Sequence, residues 1–207
     1  MVVIPIASVI QSILGNPNSY QNYLNATNFE YFDYTTILIN NNLTYRIKGM
    51  RNMKKSAEIS ECQNYRYSLE RVWDPTKKLV GFIGLNPSTA DGTEDDPTIR
   101  RCIEFAKSWG AGGIYMTNLF AYRATSPAVM MEQESPIGPE NDSYLAQLPN
   151  KADKIVACWG NNGCHKDRAN QVKELLKVDL LCLDINKTGE PKHPLYVKGN
   201  TELTILG

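Results

Sequence analysis

A chain of 207 residues with 42% hydrophobic content can bury one substantial core, and its size fits one domain better than two. Its 22 basic and 22 acidic side chains cancel, which removes any bulk attraction to nucleic acid or to a membrane surface; phosphate binding would have to come from a local patch. Five scattered cysteines, Cys62, Cys102, Cys158, Cys164 and Cys182, include no Cys-x-x-Cys pair, which argues against a disulfide framework and against a zinc or iron–sulfur site.

The cysteines read as reduced, mostly buried thiols, and no metal or other cofactor is expected. The apolar opening run Met1 to Leu14 is too short to span a bilayer and lacks the basic start and cleavage site of a signal peptide, so a cytoplasmic location without a membrane partner is expected. From Asn16 to Asn42 the chain is crowded with Asn, Tyr, Ile and Thr, is nearly free of charge, and shows no sustained helical or strand periodicity. Residues 1–52 do not read as a domain. They are expected to be either a disordered or loosely packed extension or upstream sequence before a natural start at Met53. The abrupt return to charged composition at Met53-Lys54-Lys55-Ser56 favours the second. A single α/β domain is expected over 53–207.

Tyr65 to Trp73 tends toward period-two alternation, as expected of a half-exposed antiparallel strand at a sheet edge. Leu79 to Gly84 is a short continuous apolar run, the pattern of a strand buried on both faces. Asp95-Asp96-Pro97 then supplies an acidic cap and a first-turn proline for a helix with Ile99, Cys102, Ile103 and Ala106 on its inner face, ended by Gly110 to Gly113. Ile114 to Thr117 reads as a second strand. A long proline-containing segment from Thr125 to Asn141 leads to a short helix around Tyr144 to Leu148. Lys154 to Trp159 is a third strand, and a helix from about Asp167 to Lys177 turns Val172, Leu175 and Leu176 inward. Leu180 to Leu183 is the fourth strand. This alternation predicts a three-layer α/β sandwich, with a mostly parallel central sheet of about four core strands and an antiparallel edge strand.

In open parallel sheets, ligands bind beyond the carboxyl ends of the strands. Polar clusters occupy four such ends: Asn86-Pro87-Ser88, Asn118, Gly160-Asn161-Asn162-Gly163, and His193-Pro194. Each alone has a plainer explanation. Asn-Pro-Ser makes turns, Asn118 can cap a strand, Asn161 to Gly163 is a turn, and His165 and His193 can be solvated or structural. Their convergence on one edge points to a site centred on Gly84-Leu85-Asn86-Pro87-Ser88. Asn86 can orient a water, Asn118 can pair with the edge of a base or amide, and His193 can donate to a developing anion. Such a set suits departure of an anionic leaving group with water attacking a cation-like sugar carbon. It does not suit hydride transfer or metal-assisted hydrolysis.

The stretches Leu85 to Asp91, Asp95 to Cys102, Asn118 to Thr125 and His193 to Tyr196 closely resemble the bacterial and phage domain-of-unknown-function family 1643, over about Tyr65 to Tyr196. More distantly, the same landmarks are similar to the uracil-DNA glycosylase superfamily, especially its mismatch-specific branch. That resemblance implies that Gly84-Leu85-Asn86-Pro87 positions the attacking water, with Ser88 beside it. It implies that Thr117-Asn118 and Arg123-Ala124-Thr125 read a flipped base, and that His193-Pro194 stabilises the leaving base. Leu195 or Tyr196 would be the wedge that fills the vacated stack. Three features depart from the pattern: Ser88-Thr89 stands where glycine is usual, His193-Pro194 lacks the following Ser-Pro found in many relatives, and the acidic stretch Asp91 to Asp96 would lie near the phosphate track. Arg100, Arg101, Arg123 and Lys192 would offset those acids, and Arg100, Arg101 and Lys192 would be the phosphate contacts. The expected partner is nucleic acid or a free nucleotide, and the expected function an N-glycosidic hydrolase of DNA-glycosylase type. The alternative is a non-catalytic nucleotide or modified-base binding module of the same fold.

Overall fold

The computed structural model describes residues 32–39, 43–50 and 53–207. The chain forms two compact units, Met1–Met53 and Lys54–Gly207. In the first, β1 (Phe32–Ile39) and β2 (Leu43–Met50) form an antiparallel ladder from Phe32↔Met50 to Ile39↔Leu43. This corrects the expectation of a segment without strand character. Both runs are rich in Ile, Leu, Thr and Tyr, and β-branched and aromatic residues fit a pleated ladder even where apolar and polar positions do not alternate strictly. The expectation for Asn16 to Tyr31 and for Asn40 to Asn42 lies outside the described residues.

The second unit is built on a seven-stranded sheet. Its strands are β3 (Lys54–Ile59), β4 (Arg66–Val72), β5 (Leu79–Gly84), β6 (Gly113–Asn118), β7 (Ala152–Ala157), β8 (Leu181–Cys182) and β9 (Thr204–Ile205), in the order β3-β4-β6-β5-β7-β8-β9. The middle of the sheet is parallel: β5 pairs with β6 and β7, and β7 with β8. The flanks are antiparallel. Strand β4 is therefore not an edge strand, as its alternation suggested, because β3 covers its outer side from Lys54↔Val72 onward. The extra strand explains why Arg66, Tyr67, Ser68 and Leu69 are all buried.

Successive residues of β5 meet different helical segments. The Phe82 ring stacks on Trp109, 6.2 Å between centroids, just past helix α1 (Pro97–Ser108). A Cβ on neighbouring Gly81 would sit 2.7 Å from Leu148 Cδ2. Helix α1 starts as its sequence dictates: Asp96 accepts from the Ile99 N–H at 2.8 Å, Pro97 follows, and Gly110 at φ 75° ends the run.

The proline-containing segment holds a short helix, α2 (Pro127–Met131), that buries Met130. The helix expected around residues 144–148 is two pieces, α3 (Asn141–Leu145) and α4 (Leu148–Lys151), because Pro149 suits only a first turn. Helix α5 (Arg168–Leu176) buries Ala169, Val172 and Leu176, while Leu175 is 39% exposed, correcting its inward assignment. Three cysteines are buried, and Cys62 and Cys164 are exposed; all five are free thiols. No helix among the described residues is long and apolar enough to cross a membrane.

Trp159 follows β7 and is 2% exposed. Gly163 packs on its indole so closely that a Cβ there would lie 2.1 Å from Trp159 Cδ1. Gly163→Ala is expected to destabilise the protein by about 1–3 kcal/mol through overpacking, measurable by denaturant unfolding. Unchanged stability would mean that the 3₁₀ turn 161–167 moves freely away from the tryptophan.

Candidate functional site

The parallel strands end on one side, and the loops that leave them enclose a cavity of about 520 Å³. Gly84, Leu85, Asn86 and Ser88 enter it from the end of β5, Asn118 from β6, Trp159, Gly160, Asn161 and Asn162 from β7, and His193 from the segment beyond β8. Strand β4 runs the other way, so its first residue, Arg66, arrives at the same edge; its N–H bonds Ala121 O at 2.9 Å, just beyond β6. The N-terminus of α1 contributes Asp96, Thr98 and Ile99.

Each polar side chain is oriented by its neighbours. Asn86 donates both N–H bonds of its amide to backbone carbonyls, Ala124 at 2.7 Å and Pro87 at 3.1 Å, so Oδ1 is what it can offer a ligand. Asn118 accepts from Arg66 Nη2 on Oδ1 at 3.3 Å, which turns its Nδ2 toward the position opposite Gly84. A Cβ on Gly84 would lie 2.6 Å from that nitrogen, so glycine makes room for the carboxamide. The backbone behind Asn118 is clamped: Asn141 Nδ2 donates to Asn118 O at 3.0 Å and Leu119 O at 2.9 Å, and Arg168 Nε donates to Leu119 O at 2.9 Å.

His193 accepts from the Leu195 N–H on Nδ1 at 3.4 Å, which leaves Nε2 to carry the proton of the neutral ring. Its segment is tied to the end of β7 by Gly160 N to Pro191 O at 3.0 Å and by Trp159 Nε1 to Glu190 Oε2 at 2.6 Å. Gly160 has φ 73° and ψ −171°, a backbone that only glycine adopts readily.

Burial lowers the His193 pKa below its ordinary value, opposed by the Asp96 carboxylate. A histidine depressed in the folded state binds protons more readily when unfolded. Its contribution to stability is therefore intact above the unfolded value of about 6.5 and is lost as pH falls through it. His193→Gln is expected to flatten the decline of Tm between about pH 7.5 and pH 5. Parallel curves for the two proteins would show that the imidazole carries no such penalty.

Among the sequence-derived candidates, Gly84, Leu85, Asn86, Ser88, Asn118 and His193 line the cavity together. Pro87 lies behind it, its carbonyl accepting from the Ala124 N–H at 2.9 Å. Thr117 is buried in β6 and bonds Phe82 O at 3.2 Å. Arg123 lies outside the lining and donates to Gln63 O at 3.3 Å, whereas Ala124 and Thr125 of the same motif are in it. Pro194 and Leu195 are outside; Tyr196, 82% exposed, stands at the cavity.

The three expected phosphate contacts are elsewhere and already engaged. Arg100 donates to Asp95 O, Arg101 to Glu104 at 2.8 Å and Val197 O at 2.7 Å, and Lys192 to Asp184 at 2.6 Å. The acidic stretch is structured as well, with Asp95 holding Arg71 at 2.7 Å and Lys55 at 3.3 Å. Sequence reasoning missed Arg66 and Trp159 as site residues and took Asp96 as a helix cap and part of an acidic stretch, not as a residue of the site. In the lining, Arg66 is the cation and Asp96 the carboxylate.

The molecule is thus an α/β protein with a polar cavity at the carboxyl edge of a mixed sheet. It belongs to the family described as protein of unknown function (DUF1643), whose pattern matches residues 66–195. No curated protein and no solved structure matches it.

Proposed function

We propose that the cavity is the active site of an N-glycosidic hydrolase of DNA-glycosylase type, acting on a damaged, mismatched or modified base by water attack. The observation that carries this reading is the meeting of Asn86, Asn118 and His193, from three distant segments, in one cavity. Their partners leave an acceptor, a donor and a neutral donor respectively. Under this reading the helices on the two sides of β5 make a three-layer sandwich of the uracil-DNA glycosylase kind.

Water held by Asn86 Oδ1 attacks the anomeric carbon. The carbon–nitrogen bond breaks, and its electron pair leaves with the base, where His193 Nε2–H stabilises the growing negative charge. Asp96, the carboxylate of the lining, takes up the proton released by the water. Trp159 offers an aromatic wall for a planar base. Leu195 or Tyr196, both exposed, would serve as the wedge that enters a duplex.

The engagement of Arg100, Arg101 and Lys192 outside the cavity favours a second reading, a nucleotide or modified-base binding module without turnover. Incubating the protein with labelled oligonucleotides carrying uracil, mismatched thymine, hypoxanthine or hydroxymethyluracil, followed by alkali, separates the two. Strand cleavage that Asn86→Ala loses establishes the hydrolase and its base. No release from any single- or double-stranded substrate leaves the binding module.

A further inference from the structure

Among the described residues three arginines are buried, Arg66, Arg71 and Arg168, at 2%, 0% and 3% exposure. Arg71 is paired with Asp95 and Arg168 with Asp142. Among the described residues Arg66 has no carboxylate within 4.0 Å. It donates from Nη1 to Ala90 O at 2.8 Å and from Nη2 to Asn118 Oδ1 at 3.3 Å, and its buried Nε has no partner. Of the three, Arg66 is the one that lines the cavity. Arg123 Nε also lacks a partner, but that residue lies outside the lining.

A buried guanidinium is costly unless a counter-charge repays its lost hydration. Holding Ala90 O and Asn118 in place does not require a cation. Desolvation lowers the Arg66 pKa to about 10, with Asp96 opposing, so the group remains charged at neutral pH. Asp96 lines the same cavity, and its Oδ1 is committed to the Ile99 N–H. Asn118, with Oδ1 facing Arg66, adds a second donor through Nδ2.

We infer that Arg66 and Asn118 form a subsite for a negatively charged oxygen group of the ligand, which supplies the missing counter-charge. Two sources share that chemistry: a phosphate of a free nucleotide, or a keto base whose negative charge is spread onto its oxygens as it leaves. The inference rests on reading the cavity as a ligand site, not on hydrolysis.

Thermal shift and calorimetric titration of the full chain with inorganic phosphate, uridine, uridine 5′-monophosphate and uracil test it. Binding of phosphate and the monophosphate, but not of uridine, identifies the phosphate source. Binding of uracil that tightens as pH rises toward the ionisation of the base identifies the keto source.

The decisive variant is Asn118→Asp, which places an internal carboxylate against Arg66 Nη2. It is expected to raise the Tm of the unliganded protein and to weaken binding of the active probe at least about thirtyfold. Arg66→Gln, titrated in parallel, is expected to lose the same binding, and it serves if Asn118→Asp does not fold. No binding of any of the probes to the natural protein, or undiminished binding to both variants, overturns the subsite. Anion binding without base release would sink the hydrolase and leave the subsite standing; base release that both variants retain would do the reverse.

Discussion

Asn86→Ala is expected to slow base release by about 10² to 10³, roughly 3 to 4 kcal/mol, the cost of removing one positioned hydrogen-bonding group from a reacting site. The argument starts from how the side chain is held. Its amide nitrogen spans Ala124 O and Pro87 O, which fixes both the rotamer and which end of the carboxamide can face the cavity. An oxygen immobilised in this way can accept from a water without reorganising, which is the condition under which such a contact lowers a barrier.

The same bonds give the residue a structural duty, tying the turn after β5 to the segment after β6. The alanine variant is therefore expected to lose about 1–3 kcal/mol of stability as well, from the Ala124 carbonyl left without its donor, while Pro87 O keeps the Ala124 N–H. The two effects separate in a measurement of kcat, KM and Tm at a temperature where both proteins are fully folded. A fall in kcat with little change in KM supports water orientation. A variant that is less stable but turns over at the natural rate when folded would make Asn86 a turn clamp and nothing more.

What the sequence allowed and what it withheld follow from how each residue reaches the site. Asn86, Asn118 and His193 were readable because each ends a strand or follows one, His193 after an intervening turn, and parallel strands end on the same side. Arg66 was not readable in this way. It begins a strand, and only the antiparallel pairing of β4 with β6 brings a strand start to the edge where the others finish. Alternation in residues 65–73 could reveal a strand but neither its neighbour on the outer side nor its direction.

That Arg100, Arg101 and Lys192 lie outside the cavity lining was not legible for a related reason. A sequence shows charge but not its partners, and here Asp95 O, Glu104, Val197 O and Asp184 take up those cations locally. Leu175 satisfied helical spacing but lies at the margin of an apolar stripe that a nine-residue helix keeps narrow. Asn141 and Arg168, which clamp the backbone at the end of β6, left no signal. Buried polar side chains that bond main-chain carbonyls have no characteristic spacing.

The largest loss of stability is expected from Arg71→Met. Arg71 is fully buried, and its guanidinium joins the sheet to the loop before α1. Nε bonds Asp95 at 2.7 Å, Nη2 bonds Asp91 O at 2.6 Å and Glu94 O at 3.2 Å, and Nη1 bonds Glu70 O at 3.0 Å and Ser56 O at 3.3 Å. Removing one partner of a buried ion pair leaves the other desolvated and uncompensated. The expected cost is about 3–5 kcal/mol, a fall in Tm of roughly 6 to 20 °C for a domain of this size. Lys55 remains 3.3 Å from Asp95 and softens the loss without replacing the bonds to the loop carbonyls.

The double variant Arg71→Met with Asp95→Asn divides the cost. Substantial recovery relative to the single variant would place it in the stranded carboxylate, whereas none would place it in the carbonyls of Asp91 and Glu94. Because that loop runs directly into Asp96, which caps α1 and lines the cavity, either result also predicts weaker ligand binding. A single variant that loses less than about 1 kcal/mol would show that the loop is held by its own turn, in which the Thr93 and Glu94 N–H groups bond Asp91 Oδ1 at 2.8 and 2.9 Å. In that case the acidic stretch would be independent of the sheet, and the link from β4 to the cavity would run through Arg66 alone.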